Sequence, residues 1–302
     1  MGKKKLGSLV GSPKEKASAL TIAIFIILII YFITLIIPII WAFYSSFNDW
    51  KEFRSFYVSY LDFPTKLVID NYVTAFTKFE YEAYTTNISY NFLQMFGHSV
   101  IYATGSAFFF TLVPLIVAYC SARFKFKFSK VIYAFVIIAM ALPIVGAMPS
   151  EMRMLRNLGI FDTFFGMFVL RMNFLSIYYL IFYAQFESIP MEYTEAAKVD
   201  GASNLRIMFT IVLPQALSTI VTVFLLTFIM YWNDFQIPHV YLPSYPTVAD
   251  GLYYLANSGE TAINRDPIKI AGIMGMTLPI VIIFAILNKR LRFAVAAGGI
   301  KG

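Results

Sequence analysis

Glu192-Tyr193-Thr194-Glu195-Ala196-Ala197-Lys198-Val199-Asp200-Gly201, followed after nine residues by Ile211-Val212-Leu213-Pro214, is the stretch on which the reading of this chain turns. Pro190 suits the first turn of a helix because its missing N–H costs nothing there, and Glu192 and Glu195 near that start complement the helix dipole. Asp200-Gly201 ends the helix, Gly201 supplying a turn free of a Cβ clash. Small Ala196 and Ala197 keep one side thin, so a partner's surface can approach closely. Ser203 is placed to cap a second helix, which runs on until Pro214 bends or interrupts it. Apolar stretches lie on both sides, so the short helix is fixed between membrane segments and can push on both.

Composition points the same way. The chain is 59% hydrophobic and only 14% charged, against about 25% charged in soluble domains. The run from Ala19 to about Phe43 follows Lys3, Lys4, Lys5, Lys14 and Lys16. It is longer than the roughly 7 to 15 residues of a signal-peptide core and offers no A-x-A site, so it reads as an uncleaved first span. Further apolar segments lie near Ser99 to Ala122, Val131 to Ala147, Phe161 to Gln185, Phe209 to Trp232 and Ile270 to Leu287. The expectation is an all-α integral membrane protein with six transmembrane helices, a cytoplasmic coupling helix and both termini cytoplasmic. Residues 1–18 form a basic amino-terminal segment and 19–302 a single membrane domain, with the loop at about 186–208 and a tail at about 288–302. This orientation puts Arg123, Lys125, Lys127, Lys130, Lys198, Arg206, Lys289, Arg290, Arg292 and Lys301 inside, as the positive-inside rule expects. Membrane topology and lipid headgroups therefore account for the net charge of +7 without nucleic acid. Cys120 is the only cysteine, so no intramolecular disulfide forms.

The spacing E-A-A, three residues, G, nine residues, I-x-L-P resembles the EAA loop of binding-protein-dependent ABC importer permeases, with every fixed position present. The likeness extends to Ala118-Tyr119 with Arg123-Phe124, to Leu142-Pro143, Leu158-Gly159-Ile160, Trp232-Asn233-Asp234-Phe235 and the closing Gly298-Gly299-Ile300-Lys301-Gly302. These features are similar to the carbohydrate branch, in particular to a maltose-type permease subunit. The resemblance implies a multi-pass protein of a bacterial or archaeal cytoplasmic membrane. It also implies a companion permease subunit, in a heterodimer or as a second copy, two separate ATPase subunits and an extracytoplasmic solute-binding protein. The chain has no G-x-x-x-x-G-K-[ST] loop, so ATP and Mg belong to the partner ATPase subunits, and no cofactor or metal is expected on this chain. Glu195, Ala196, Ala197, Asp200 and Gly201 are the candidate ATPase-coupling residues. Glu195 either meets a basic group on the ATPase or caps its own helix. Gly298, Gly299 and Lys301 are candidates for a tail that reaches the same interface.

Two outer segments, about Tyr44 to His98 and Asn233 to Lys269, are long enough to carry structure of their own. The first is rich in Phe and Tyr, an aromatic platform or an interfacial belt. The second holds Pro238, Pro243 and Pro246, which argue for a surface-folded or partly re-entrant segment over a seventh span. By the resemblance it faces the binding protein, with Tyr253, Tyr254, Asn257, Ser258 and Gly259 as candidate contacts.

Arg171 is the one basic residue well inside a proposed span, near Asn173 and Tyr178. A charge at that depth costs about 2.5 to 3.5 kcal/mol. These three are candidates for the substrate path, where Arg171 either attracts an acidic oligosaccharide or pairs within the protein assembly. A sugar is the expected substrate; a glycerol phosphate is the alternative within the wider family. A secondary transporter would need acids deep in the spans, and none is present. An enzyme would need a constellation that His98 and His239, far apart and outside any metal-ligand spacing, do not supply.

Overall fold

The computed structural model describes residues 19–55, 62–77, 80–82, 88–124, 126–142, 146–257 and 265–298. Helix α1 (Ala19–Ser45) is apolar on all sides and leaves almost every side chain exposed, the pattern of a helix whose solvent is lipid. The first outer segment folds into α2 (Trp50–Phe53), α3 (Asp70–Thr77) and a hairpin of β1 (Glu80–Glu82) with β2 (Ser89–Asn91).

The central helix is α4 (Phe92–Phe124). It begins seven residues before Ser99, the expected start of the span, and Asn91 accepts from the Gln94 amide and opens the helix. Lipid is as apolar as leucine, so helices in a membrane gain little from burying hydrophobic side chains against one another; close packing and hydrogen bonds hold them instead. Along α4, Ser99, Ala103, Ala107 and Thr111 recur every fourth residue, and Ala118 and Ala122 continue the pattern, all of them buried. This seam of small residues lets the neighbouring helices approach. At Gly105 a Cβ would run into the Phe168 ring, so a larger residue at that crossing would have to displace the ring.

The neighbours are α5 (Ser129–Ala141), α6 (Met148–Asn157), α7 (Phe164–Arg171), α8 (Ile177–Glu187), α9 (Glu192–Val199), α10 (Asn204–Ile207) and α11 (Leu213–Trp232). Beyond them come α12 (Gln236–Tyr241), α13 (Val248–Asn257) and α14 (Asp266–Gly298). One apolar cluster joins α4 to α8, α9 and the start of α11 around Tyr119, Tyr179, Phe182, Phe186 and Val212. A second joins the other half of α4 to α6, α7, α11 and α12 around Tyr102, Met167, Trp232 and Tyr241. Trp232 donates its indole N–H to the Met276 carbonyl and ties α11 to α14.

Among the described residues, four helices are long and apolar enough to cross a membrane: 20–45, 92–124, 204–232 and 266–286. The six expected spans thus map onto these four and two segments of shorter pieces. The third is the 13-residue α5. The fourth, read from sequence as continuous from Phe161 to Gln185, is broken between α7 and α8, where Asn173 turns its side-chain oxygen onto the Leu175 amide. The tail expected from residue 288 is helical in its backbone as far as Gly298. Residues 1–18, Pro143, Ser258, Gly259, Gly299 and Lys301 lie outside the described residues.

Candidate functional site

Two constellations stand out, one at each end of the bundle. The first is built on α9. Met191 precedes the helix without a side-chain cap, Asp200 closes it, and Gly201 takes φ +79°, the left-handed conformation that favours glycine. Ser203 accepts from the Arg206 amide at 3.3 Å and starts α10. Pro214 does not end that helix. A single π turn over Met208–Val212 absorbs the misfit that a proline ring makes with the preceding turn, and α11 continues to Trp232.

The inner face of α9 is Thr194 and Ala197, three residues apart and buried. The opposite face carries Tyr193, Glu195, Ala196 and Val199, exposed, with Val199 at 89%. The two alanines thus divide: Ala196 looks outward, whereas Ala197 packs into the bundle. Glu195 is exposed and one turn from the helix start.

Arg123, at the end of α4, fixes this arrangement. It is 8% exposed, and its guanidinium donates to the Ile189 carbonyl at 2.8 Å, the Phe186 carbonyl at 3.3 Å and the Thr194 hydroxyl at 2.8 Å. The two carbonyls lie at and just past the end of α8, where the last helical carbonyls keep acceptor capacity. One side chain therefore ties α4, α8 and α9 together. Sequence reading noted Arg123 only as part of a motif and as one of the inside basic residues, since its partners lie more than sixty residues away.

The second constellation surrounds Arg171, the last residue of α7. Its guanidinium donates to the Tyr102 hydroxyl at 3.2 Å and lies 4.7 Å from the centre of the Tyr231 ring. Tyr102 in turn donates to Asp234 Oδ2 at 2.8 Å, and Asp234 Oδ1 accepts from the Ile237 amide to start α12. The half-buried cation is matched through a tyrosine to a carboxylate just past α11. Asn173 is exposed in the break, and the Tyr178 ring packs on Phe110. Phe110 in turn meets Tyr231, the ring beside the Arg171 guanidinium, so a chain of aromatic contacts joins Tyr178 to this constellation.

The last outer segment is anchored rather than loose. His98 contacts the Pro246 carbonyl, Ser99 accepts from the Val248 amide, and Tyr90 donates to the Ser244 carbonyl. Tyr241 donates to Glu151 of α6 at 2.6 Å, and burial raises that phenol's pKa. His239 meets Asp250 at 2.8 Å. Burial pushes the Asp250 carboxyl above the usual range, against the opposing pull of His239 and Tyr81. Tyr253 stacks on Phe235 at 4.3 Å and stays 44% exposed, whereas Tyr254 is half-buried against Tyr81. Asn257 ends the described part of α13. Among the described residues no group of three or more His, Cys, Asp or Glu is placed to hold a metal.

A family model described as "Binding-protein-dependent transport system inner membrane component" matches residues 111–297. The chain belongs to this family. As an inner membrane component it is similar to the diacetylchitobiose uptake system permease protein NgcG of Streptomyces coelicolor, 26% identical over 97% of this chain and 92% of that one. It is also similar to the melibiose/raffinose/stachyose import permease protein MelC of Bacillus subtilis, 28% identical over 68% of this chain and 75% of that one. Its fold is that of a solved bacterial ABC transporter chain involved in the import of the acidic polysaccharide alginate. That match has a TM-score of 0.74 at 20% identity and covers 92% of this chain and 99% of that one. The matched segment begins within α4 and contains α9, Gly201 and the Arg123 clamp.

Proposed function

We propose that this chain is a membrane subunit of an ATP-driven importer for a sugar or oligosaccharide, and that α9 is where separate ATPase subunits act on it. The observation that carries the reading is the division of α9: one face clamped into the bundle by Arg123, Thr194 and Ala197, the other left open with Val199 and the Gly201 turn on it. A helix so held transmits a push to α8 and α11, between which it is tied. The sugar reading is supported by relatives named for oligosaccharide uptake.

In this reading two ATPase subunits, which carry ATP and Mg, close on ATP binding and move α9 of this chain and of a companion permease. The path between them then changes the side to which it opens. ATP shifts this equilibrium only by contacting one state better than the other. An extracytoplasmic binding protein delivers the sugar to the outer segment, where Tyr253 is the exposed aromatic contact and Tyr254, Asn257, Ser258 and Gly259 complete the candidate surface. Arg171 is already matched to Tyr102 and Asp234, which favours a structural role over capture of an acidic sugar.

The test is ligand-stimulated ATP hydrolysis by the reconstituted chain with its companion permease, ATPase and binding protein, screened against neutral and acidic oligosaccharides. Stimulation by one sugar class, lost in Val199→Asp while the permease still inserts, is the expected result. Hydrolysis that ignores every sugar, or an assembly in which no ATPase associates, would overturn it.

A further inference from the structure

At the end of the bundle that carries α9, a cavity of about 500 Å3 opens between α4, α5 and α8, lined by Ser121, Phe126, Lys127, Ser129, Lys130, Tyr183 and Glu187. Its polar wall holds two ammonium groups and three hydroxyls against a single carboxylate. No salt bridge from either lysine is present among the described residues, so the cavity carries an uncompensated positive charge. Tyr183 lies beside Tyr179 at a ring separation of 6.0 Å, and the Ser121 hydroxyl donates to the Val117 carbonyl. On the membrane side, Phe128, Val131 and Phe135 of the adjoining turn and α5 are exposed. The site thus has a cationic, hydroxyl-rich floor with an apolar margin beside it.

We propose that this cavity binds the phosphate headgroup of an anionic phospholipid of the inner leaflet, with the acyl chains lying along the exposed face of α5. The inference rests on the cytoplasmic placement of α9. Two lysines and the Ser129 hydroxyl match a phosphodiester's charge and acceptors, and the one carboxylate, Glu187, leaves a net charge of the right sign. Glu187 ends α8, and Arg123 holds the Phe186 carbonyl next to it. A headgroup seated there braces the end of α8 to which α9 is tied, so lipid occupancy stiffens the coupling helix.

The experiment uses the assembled complex in nanodiscs of phosphatidylcholine with or without phosphatidylglycerol. Lipid retention is read by native mass spectrometry and hydrogen exchange by the α8–α9 peptide. Phosphatidylglycerol is expected to be retained by the wild type and to slow exchange. Retention falls roughly fivefold for Lys127→Gln or Lys130→Gln, about 25-fold for both, and recovers in the double arginine variant. Retention unchanged in the double glutamine variant would sink the proposal. So would equal displacement by inorganic phosphate, which would mark a soluble-anion site. Loss of ATPase subunits from that variant with lipid retention intact would assign the lysines to the ATPase interface instead. Wild-type sugar-stimulated hydrolysis in the same nanodiscs reports on the transport reading independently of all three.

Discussion

Arg123→Gln is the perturbation that most directly tests whether α9 works as a clamped lever. The substitution removes a guanidinium that donates to two carbonyls and one hydroxyl at 2.8 to 3.3 Å. A hydrogen bond to a charged group contributes about 1.5 to 3 kcal/mol. Glutamine recovers at most part of one, and the carbonyls left at the end of α8 can find water at the membrane surface, so a net loss of about 3 kcal/mol is expected. That corresponds to a rise on the order of a hundredfold in the local opening of the segment from α8 to Gly201. Native-state hydrogen exchange on the reconstituted complex reads the opening directly, while sugar-stimulated and basal ATP hydrolysis read coupling. Exchange should accelerate at 188–202 and not in α11, with basal hydrolysis kept and stimulation lost. Arg123→Lys should fall between, because an ammonium keeps the charge but lacks the planar fork that spans three acceptors. Wild-type exchange and full stimulation in Arg123→Gln would refute the clamp.

Other substitutions separate strain, contact and charge. Gly201 has φ +79°, and a Cβ added there would meet no atom within 4 Å, so Gly201→Ala should cost only about 1 to 2 kcal/mol of local strain. Gly201→Trp should match its thermal midpoint yet lose far more stimulated hydrolysis, since its bulk projects only toward a partner; equal coupling in the two variants would argue against an interface there. Asp234→Ala removes the acceptor of the Tyr102 hydroxyl and of the Ile237 amide, and because Arg171 and Asp234 are only half-buried a loss of about 1 to 3 kcal/mol is expected, read as a lowered thermal midpoint with Arg171→Met/Asp234→Ala recovering part of it. For Asp250 the folded carboxyl lies above its unfolded value of 3.8. The folded state therefore binds more protons in the window between the two values, and stability falls as pH rises through it. Asp250→Asn should abolish that decline, and an unchanged pH profile of the thermal midpoint would show that Asp250 does not cause it.

The loop that carries α9 was legible as structure because its signals are local: an acid at a helix start, a glycine in a left-handed turn, a serine cap two residues later. The long spans were legible because lipid demands unbroken apolar length. Sequence erred where a polar interruption was too short to register against its apolar flanks, at Met172 to Ser176, and could not see what brings Arg171 to Asp234 or Arg123 to Thr194, pairs joined only by the packing of α4.

That packing gives the two constellations a common element. Tyr102 near one end of α4 holds Arg171 and Asp234; Arg123 at the other end holds α8 and α9. The stripe of small residues between them keeps α4 closely fitted to its neighbours, and close-packed interfaces shift between discrete arrangements more readily than they deform. In the proposed coupling, a displacement of α9 would be delivered through Arg123 to a helix whose far end anchors the outer segment. Tyr102 and Arg123 thus put the polar ties of both constellations on α4, the element through which motion would pass from one face to the other.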